Sequence, residues 1–189
     1  MKSKILFLGC NYNEIPYLEN LQDRGFFVVA TDINPDAPGM KIADSTIICG
    51  YNDFEGLDNA IAREGPEEFK MVFTASAQFA HLGASYISKQ LGITYPSIDN
   101  VKACLNKKTF YPLFQENGIP IPETHYVRNL TDLKRALSGY SVETYFYLKS
   151  DYSKNPNHIY TGKSSDIINQ EIQWTPDRYF QEYYILQKT

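Results

Sequence analysis

The sequence predicts an α/β protein: a doubly wound parallel sheet followed by a small α+β unit. Three observations carry this expectation. From Lys4 to Tyr95, short apolar runs ending at turn formers alternate with segments whose apolar side chains recur at helical spacing. The stretch Asn106–Pro122 then interrupts that rhythm, with Gly118, Pro120 and Pro122 closing a helical segment. Beyond Pro122 the pattern is shorter and crowded with tyrosine. The expected division is an α/β domain over 1–105, a joint helix and linker over 106–122, and a small subdomain over 123–189.

In order, Lys4-Ile5-Leu6-Phe7-Leu8-Gly9 is continuously apolar, which suits a strand covered on both faces. Residues 13–24 space Ile15, Leu18 and Leu21 as a helix, with Asn13 as cap and Gly25 as stop. Phe27–Ala30 is the second strand and leads into Thr31-Asp32. Asn34–Gly39 is dense in turn formers, Thr46–Cys49 is a third strand, 53–64 a helix, and Met71–Ala75 a fourth strand. Ser76 is the expected cap of a helix over 77–90, and Ile93-Thr94-Tyr95 a last short strand. After the joint, strands are expected at Thr124–Val127, Thr144–Lys149 and Arg178–Ile185. Helices are expected at Thr131–Leu137, capped by Asn129 or Thr131, and at Ser164–Gln170. Residues 151–158 read as a polar, turn-rich loop.

Composition narrows the function classes. The 189 residues carry a formal net charge of −4 and no run of like charge, which argues against a nucleic-acid backbone binder. Apolar runs are too short for a membrane span and no leader is visible, so a cytoplasmic protein is expected. Cys10, Cys49 and Cys104 are scattered and read as free thiols.

Two places invite a ligand. The Gly9–Ile15 loop joins the first strand to the first helix, where open α/β sheets gather ligands. The three-glycine dinucleotide fingerprint is not met, since Asn11 and Glu14 stand where glycines belong, and there is no Gly-x-x-x-x-Gly-Lys-Ser/Thr loop. Lys107 opens the joint helix, where a cation opposes the helix dipole unless an anion is present. Lys149 ends a β-prone strand. Either lysine alone reads as a solvated charge, but the two together can converge on phosphates held between the units. Both ammonium groups are then expected to face solvent when no ligand is bound. Glu182, Tyr183 and Tyr184 sit on the final strand, either as an amphipathic edge or as backbone for a nucleobase. His81, His125 and His158 have no mutual ligand spacing, and Ser76 has no base partner.

Taken in order, these motifs resemble the ATP-grasp superfamily of carboxylate–amine ligases, which includes biotin carboxylase, the carbamoyl phosphate synthetase large subunit and the glycinamide ligases. Gly9, Asp32, Asp36-Ala37-Pro38-Gly39-Met40 and Ala43-Asp44 resemble its Rossmann-like pre-grasp domain. Asn106-Lys107 with Gly118-Ile119-Pro120-Ile121-Pro122 resembles its joint. Tyr147-Leu148-Lys149 resembles its second lysine strand, and Gln181-Glu182-Tyr183-Tyr184-Ile185 its adenine hinge. The resemblance implies ATP held by Lys107, Lys149, Gln181, Glu182, Tyr183 and Tyr184, and a carboxylate or amine substrate near Gly9, Cys10, Asn11, Asn13, Glu14, Ser76, Gln78 and Phe79. It also implies an acyl phosphate intermediate and Mg²⁺ bridging the phosphates. The family's metal-binding subdomain would follow Thr189, and the family's glycine-rich phosphate loop has a glycine-free counterpart in 150–158. Two expectations follow. The chain is the N-terminal portion of such a ligase, partnered by a C-terminal catalytic half or by its own copies, and contains no catalytic residue itself. Alternatively, it is a non-catalytic module for a small ligand or partner, with a decayed nucleotide site.

Overall fold

The structure is a computed structural model that describes residues 2–75, 78–151, 159–172, 174 and 183–188. The chain divides into two compact units, Met1–Lys102 and Ala103–Thr189.

The first unit contains strands β1 (Lys4–Leu8), β2 (Phe27–Asp32), β3 (Ser45–Ile48) and β4 (Phe69–Phe73), and helices α1 (Ile15–Asp23), α2 (Phe54–Glu64) and α3 (Ala80–Gln90). The strands form one parallel sheet in the order β3-β2-β1-β4. Side chains alternate across a strand, so β1 feeds two cores at once. Leu6 and Leu8 join Val29, Leu57, Ile61, Ala84 and Ile87 under α2 and α3. Phe7 joins Val28, Ala30, Leu18 and Met40 under α1. Helices therefore cover both faces, and the doubly wound parallel sheet expected from the apolar runs is present.

Several boundaries differ from the sequence reading. The helix after β1 opens with a single 3-10 turn, Tyr12–Glu14, so its cap moves two residues earlier. Asn11 Oδ1, not Asn13, accepts the orphan amide, that of Asn13 at 2.9 Å. Ser76 lies outside the described residues, and α3 begins only at Ala80. Ile93–Tyr95 forms no strand. Gly92 takes a left-handed turn (φ 66°) after α3, and the Ile93 amide bonds back to Ser88 O at 2.8 Å, which removes it from any ladder. Ile93 and Tyr95 pack on the core instead. A helix absent from the sequence reading, α4 (Ile98–Leu105), spans the division between the units.

The second unit contains α5 (Lys107–Glu116), β5 (Thr124–Val127), α6 (Leu130–Leu137), β6 (Tyr145–Ser150), β7 (Ile159–Lys163), α7 (Ser164–Ile167) and β8 (Tyr184–Lys188). Its sheet is antiparallel, in the order β5-β8-β6-β7. Asn106 caps α5 by accepting the Lys108 amide at 2.8 Å, and Asn129 caps α6 by accepting the Asp132 amide at 2.9 Å. One sheet face buries Val127, Phe146, Leu148, Tyr184 and Leu186 against α6 and α7. On the other, Tyr145, Tyr147 and Ile159 stay about half exposed.

The close approach of α3 to the loop after β3 needs a glycine. A Cβ on Gly83 would fall directly onto the Tyr51 carbonyl. Gly83→Ala should destabilise the protein by about 1–3 kcal/mol, as overpacking does. Urea unfolding should show a lower midpoint at unchanged slope.

Candidate functional site

In the first unit the strand order reverses between β1 and β4, and the loops leaving their carboxyl ends hold the candidate substrate residues. Gly9 turns the chain with φ 89°, and its amide bonds Thr31 O at 2.9 Å. The Cys10 amide bonds Asp32 Oδ2 at 2.9 Å, and the Asp32 Oδ1 accepts the Asn34 amide at 2.9 Å. Cys10 O accepts the Gly39 amide at 2.7 Å. Gly39 is required there, because a Cβ would stand 2.6 Å from Leu18 Cδ1 and 3.0 Å from Cys10 O. The Gly9 and Cys10 amides thus hold the loop in place rather than offering themselves to an anion. Asp32 serves the same frame.

The Cys10 thiol is fully buried and donates to Thr31 O at 3.6 Å. Burial first, then the nearby charges of Asp32 and Glu14, push it up to about 12. That makes it a structural thiol rather than a nucleophile. Glu14 is fully buried, whereas Asn11 and Asn13 are exposed, and Gln78 and Phe79 are partly buried on the β4 side. Thr74, at the end of β4, was not singled out from sequence. Its buried hydroxyl has no hydrogen-bond partner among the described residues, a signal visible only in three dimensions.

In the second unit Lys107 and Lys149 come together. The Lys107 amide bonds Asp151 O at 2.9 Å, and Lys107 Nζ donates to Ser150 O at 3.3 Å and Asp151 O at 3.4 Å. The first residue of α5 is therefore fastened to the end of β6, two residues past Lys149. Both lysines are partly buried, contrary to the expectation that they face solvent. Burial, and then the charge of Lys149, hold the Lys107 ammonium below the usual lysine range, while Asp151 works the other way. Burial lowers Lys149 as well. A half-buried cation lowered by burial and by a second cation nearby is poised for an anion.

Gln181 and Glu182 lie outside the described residues. Tyr183 is partly buried, and its ring lies between Lys108 Nζ at 3.6 Å and Arg128 Cζ at 4.1 Å. Tyr184 is only 2% exposed, and its ring packs against Trp174 in the core, so its backbone is what it can offer a ligand. The Lys108–Tyr183–Arg128 stack was not foreseen, because nothing in the sequence links positions so far apart. His81 bonds Tyr95 OH at 2.7 Å and His125 bonds Tyr140 OH at 2.7 Å, so both are parts of tyrosine networks, while His158 lies outside the described residues. The His125 network borders an open hollow of about 750 Å³ that does not include the lysines.

No protein-family model matches the sequence. The chain aligns along its whole length with N5-carboxyaminoimidazole ribonucleotide synthetase from Thermotoga maritima, at a TM-score of 0.69 and 19% identity, spanning 46% of that chain. It aligns equally completely with the biotin carboxylase domain of the Hydrogenobacter thermophilus 2-oxoglutarate carboxylase, solved as a dimer with MgADP, at a TM-score of 0.75 and 14% identity, spanning 44% of that chain. Over the portion it spans, the chain has the fold of the ATP-grasp ligases. Among curated proteins, the formate-dependent phosphoribosylglycinamide formyltransferase of Chlorobium phaeobacteroides is 26% identical over 144 residues, which cover 75% of this chain and 36% of that protein. The chain thus spans about a third of that ATP-grasp relative and under half of the solved structures. No helix among the described residues is long and apolar enough to cross a membrane.

The thiols give a check on this geometry. At pH 8 in the native protein, a thiol reagent should modify Cys104, which is exposed, and spare Cys10 and Cys49, which are buried. Both buried thiols are pushed up by burial. Denaturant should release all three. Rapid native labelling of Cys10 would show that the loop after β1 opens.

Proposed function

We propose that this chain supplies the nucleotide-binding portion of an ATP-dependent carboxylate–amine ligase of ATP-grasp type. The observation that carries the reading is the pair Lys107 and Lys149, both half-buried and brought together at the end of β6. Two ammonium groups kept partly out of water are stabilised by a phosphate chain more than by solvent. Lys107 and Lys149 would hold the phosphates, and the backbone of Tyr183 and Tyr184, with Gln181 and Glu182, would receive the adenine. The biotin carboxylase domain solved with MgADP supports this assignment at the level of fold. When bound, ATP would supply the phosphoryl group that activates a carboxylate. The loops after β1 and β4, through Asn11, Asn13, Gln78 and Phe79, with Ser76, would face the acceptor substrate.

The described residues contain no group of three His, Cys, Asp or Glu able to hold a metal ion. They do not fit a Mg²⁺ site of their own. One observation favours a second reading, a nucleotide or small-ligand module without catalysis. Residues 150–158 contain no glycine, where closure of a loop over phosphates needs backbone amides to approach closely.

Titrating the chain with Mg-ATP in a calorimeter should give binding below the millimolar range. Lys149→Ala should abolish it while leaving the far-ultraviolet circular dichroism unchanged. Absence of binding, or binding indifferent to the substitution, would overturn the nucleotide assignment.

A further inference from the structure

Three elements of the second unit meet at one aromatic ring. Tyr183 stands immediately before β8. Its ring centre lies 3.6 Å from Lys108 Nζ, on the first turn of α5, and 4.1 Å from Arg128 Cζ, just past the end of β5. The Tyr126 ring, on β5, meets it edge-on at 6.4 Å and 80°. Arg128 is tied in turn to the start of α6, because its amide donates to Asp132 Oδ2 at 3.1 Å. Among the described residues neither Lys108 nor Arg128 is paired with a carboxylate. The electron-rich faces of the ring are therefore the counterpart of both cations, in place of an acid.

The backbone closes the same circuit. The Asp151 amide donates to Tyr183 O at 3.2 Å, and Asp151 O accepts the Lys107 amide at 2.9 Å. One path thus runs from Tyr183 through main-chain bonds to Lys107, and another runs through the ring to Lys108, the next residue. Successive side chains on a helix point about 100° apart. Lys108 can therefore turn to the ring while Lys107 Nζ turns to Ser150 O and Asp151 O. Attachments at two adjacent residues fix the orientation of the first turn of α5, which a single hydrogen bond would leave free to pivot.

We infer that the Tyr183 ring, held between Lys108 and Arg128, is a clasp that positions Lys107 for a phosphate-bearing ligand. The side chain of Tyr183, and not only its backbone, then serves the nucleotide site. It is a positioning residue and touches no reacting atom. Its effect on ligand affinity rests on the nucleotide reading above, whereas the clasp itself does not.

Two measurements on the full chain separate these parts, using wild type, Tyr183→Phe, which keeps the ring, and Tyr183→Leu, which removes it. Tyr183→Met takes the place of Tyr183→Leu if far-ultraviolet circular dichroism shows that the latter does not fold. In the first, amide hydrogen exchange is followed by nuclear magnetic resonance. Loss of the ring should speed exchange at the Lys107 and Asp151 amides about tenfold beyond any change at the Leu148 amide in β6, and Tyr183→Phe should restore the wild-type rate. Exchange at Lys107 that merely follows Leu148, or that the phenylalanine does not restore, overturns the clasp. In the second, inorganic tripolyphosphate is titrated calorimetrically. Tyr183→Leu should bind it about tenfold more weakly than wild type, with binding restored in Tyr183→Phe. Equal or tighter binding by Tyr183→Leu, where wild type does bind, overturns the positioning role and leaves the nucleotide reading standing. If wild type does not bind tripolyphosphate, the nucleotide reading and the positioning role fall together, and the exchange rates still decide the clasp.

Discussion

The second unit depends on a three-way backbone junction at Asp151. Its carbonyl accepts the first amide of α5, and its amide donates to Tyr183, immediately before β8. A helix start, a strand end and a strand start are thereby fixed against one another by two main-chain bonds, which substitution of side chains does not remove. Lys107 and Lys149 inherit their positions from that junction. Rigid backbone placement is what lets two cations be held part-way out of water, because a flexible lysine would swing back to solvent.

The first unit solves a similar problem with different means. Its candidate loop leaves β1 at a glycine, and three hydrogen bonds, to Thr31, from Gly39 and to Asp32, then hold it. Asp32, at the end of β2, accepts the Cys10 and Asn34 amides, and Gly39 lets one loop pass against another. The residues left facing outward, Asn11 and Asn13, are the polar amides, while Cys10 and Glu14 are sealed in.

What was legible in the sequence followed from periodicity. β1, with apolar residues on both sides, could be read as a strand covered on two faces, and it feeds both cores. Asn129 caps its helix as one of the two residues expected there, whereas the caps Asn106 and Asp53 are seen only in the structure. What was missed involved competition that a linear pattern does not contain. Ile93 is apolar and β-branched, yet its amide is claimed by the end of α3. β7, with Gly162 in its middle, is weak by composition and exists because β6 offers it an edge. The lysines were recognisable as a pair, but their partial burial was not, because it comes from segments that meet only in the folded unit.

The strand order of the second unit also bears on how the protein is made. β8 is the latest of its four strands along the chain, yet it lies in the interior of the sheet between β5 and β6. On the ribosome, the first unit can complete its sheet once β4 has emerged, whereas β5 and β6 have no shared neighbour until Tyr184–Lys188 appears. The nascent second unit must therefore wait with an unfilled gap in its middle, a period in which its tyrosine-rich strands are open to wrong partners.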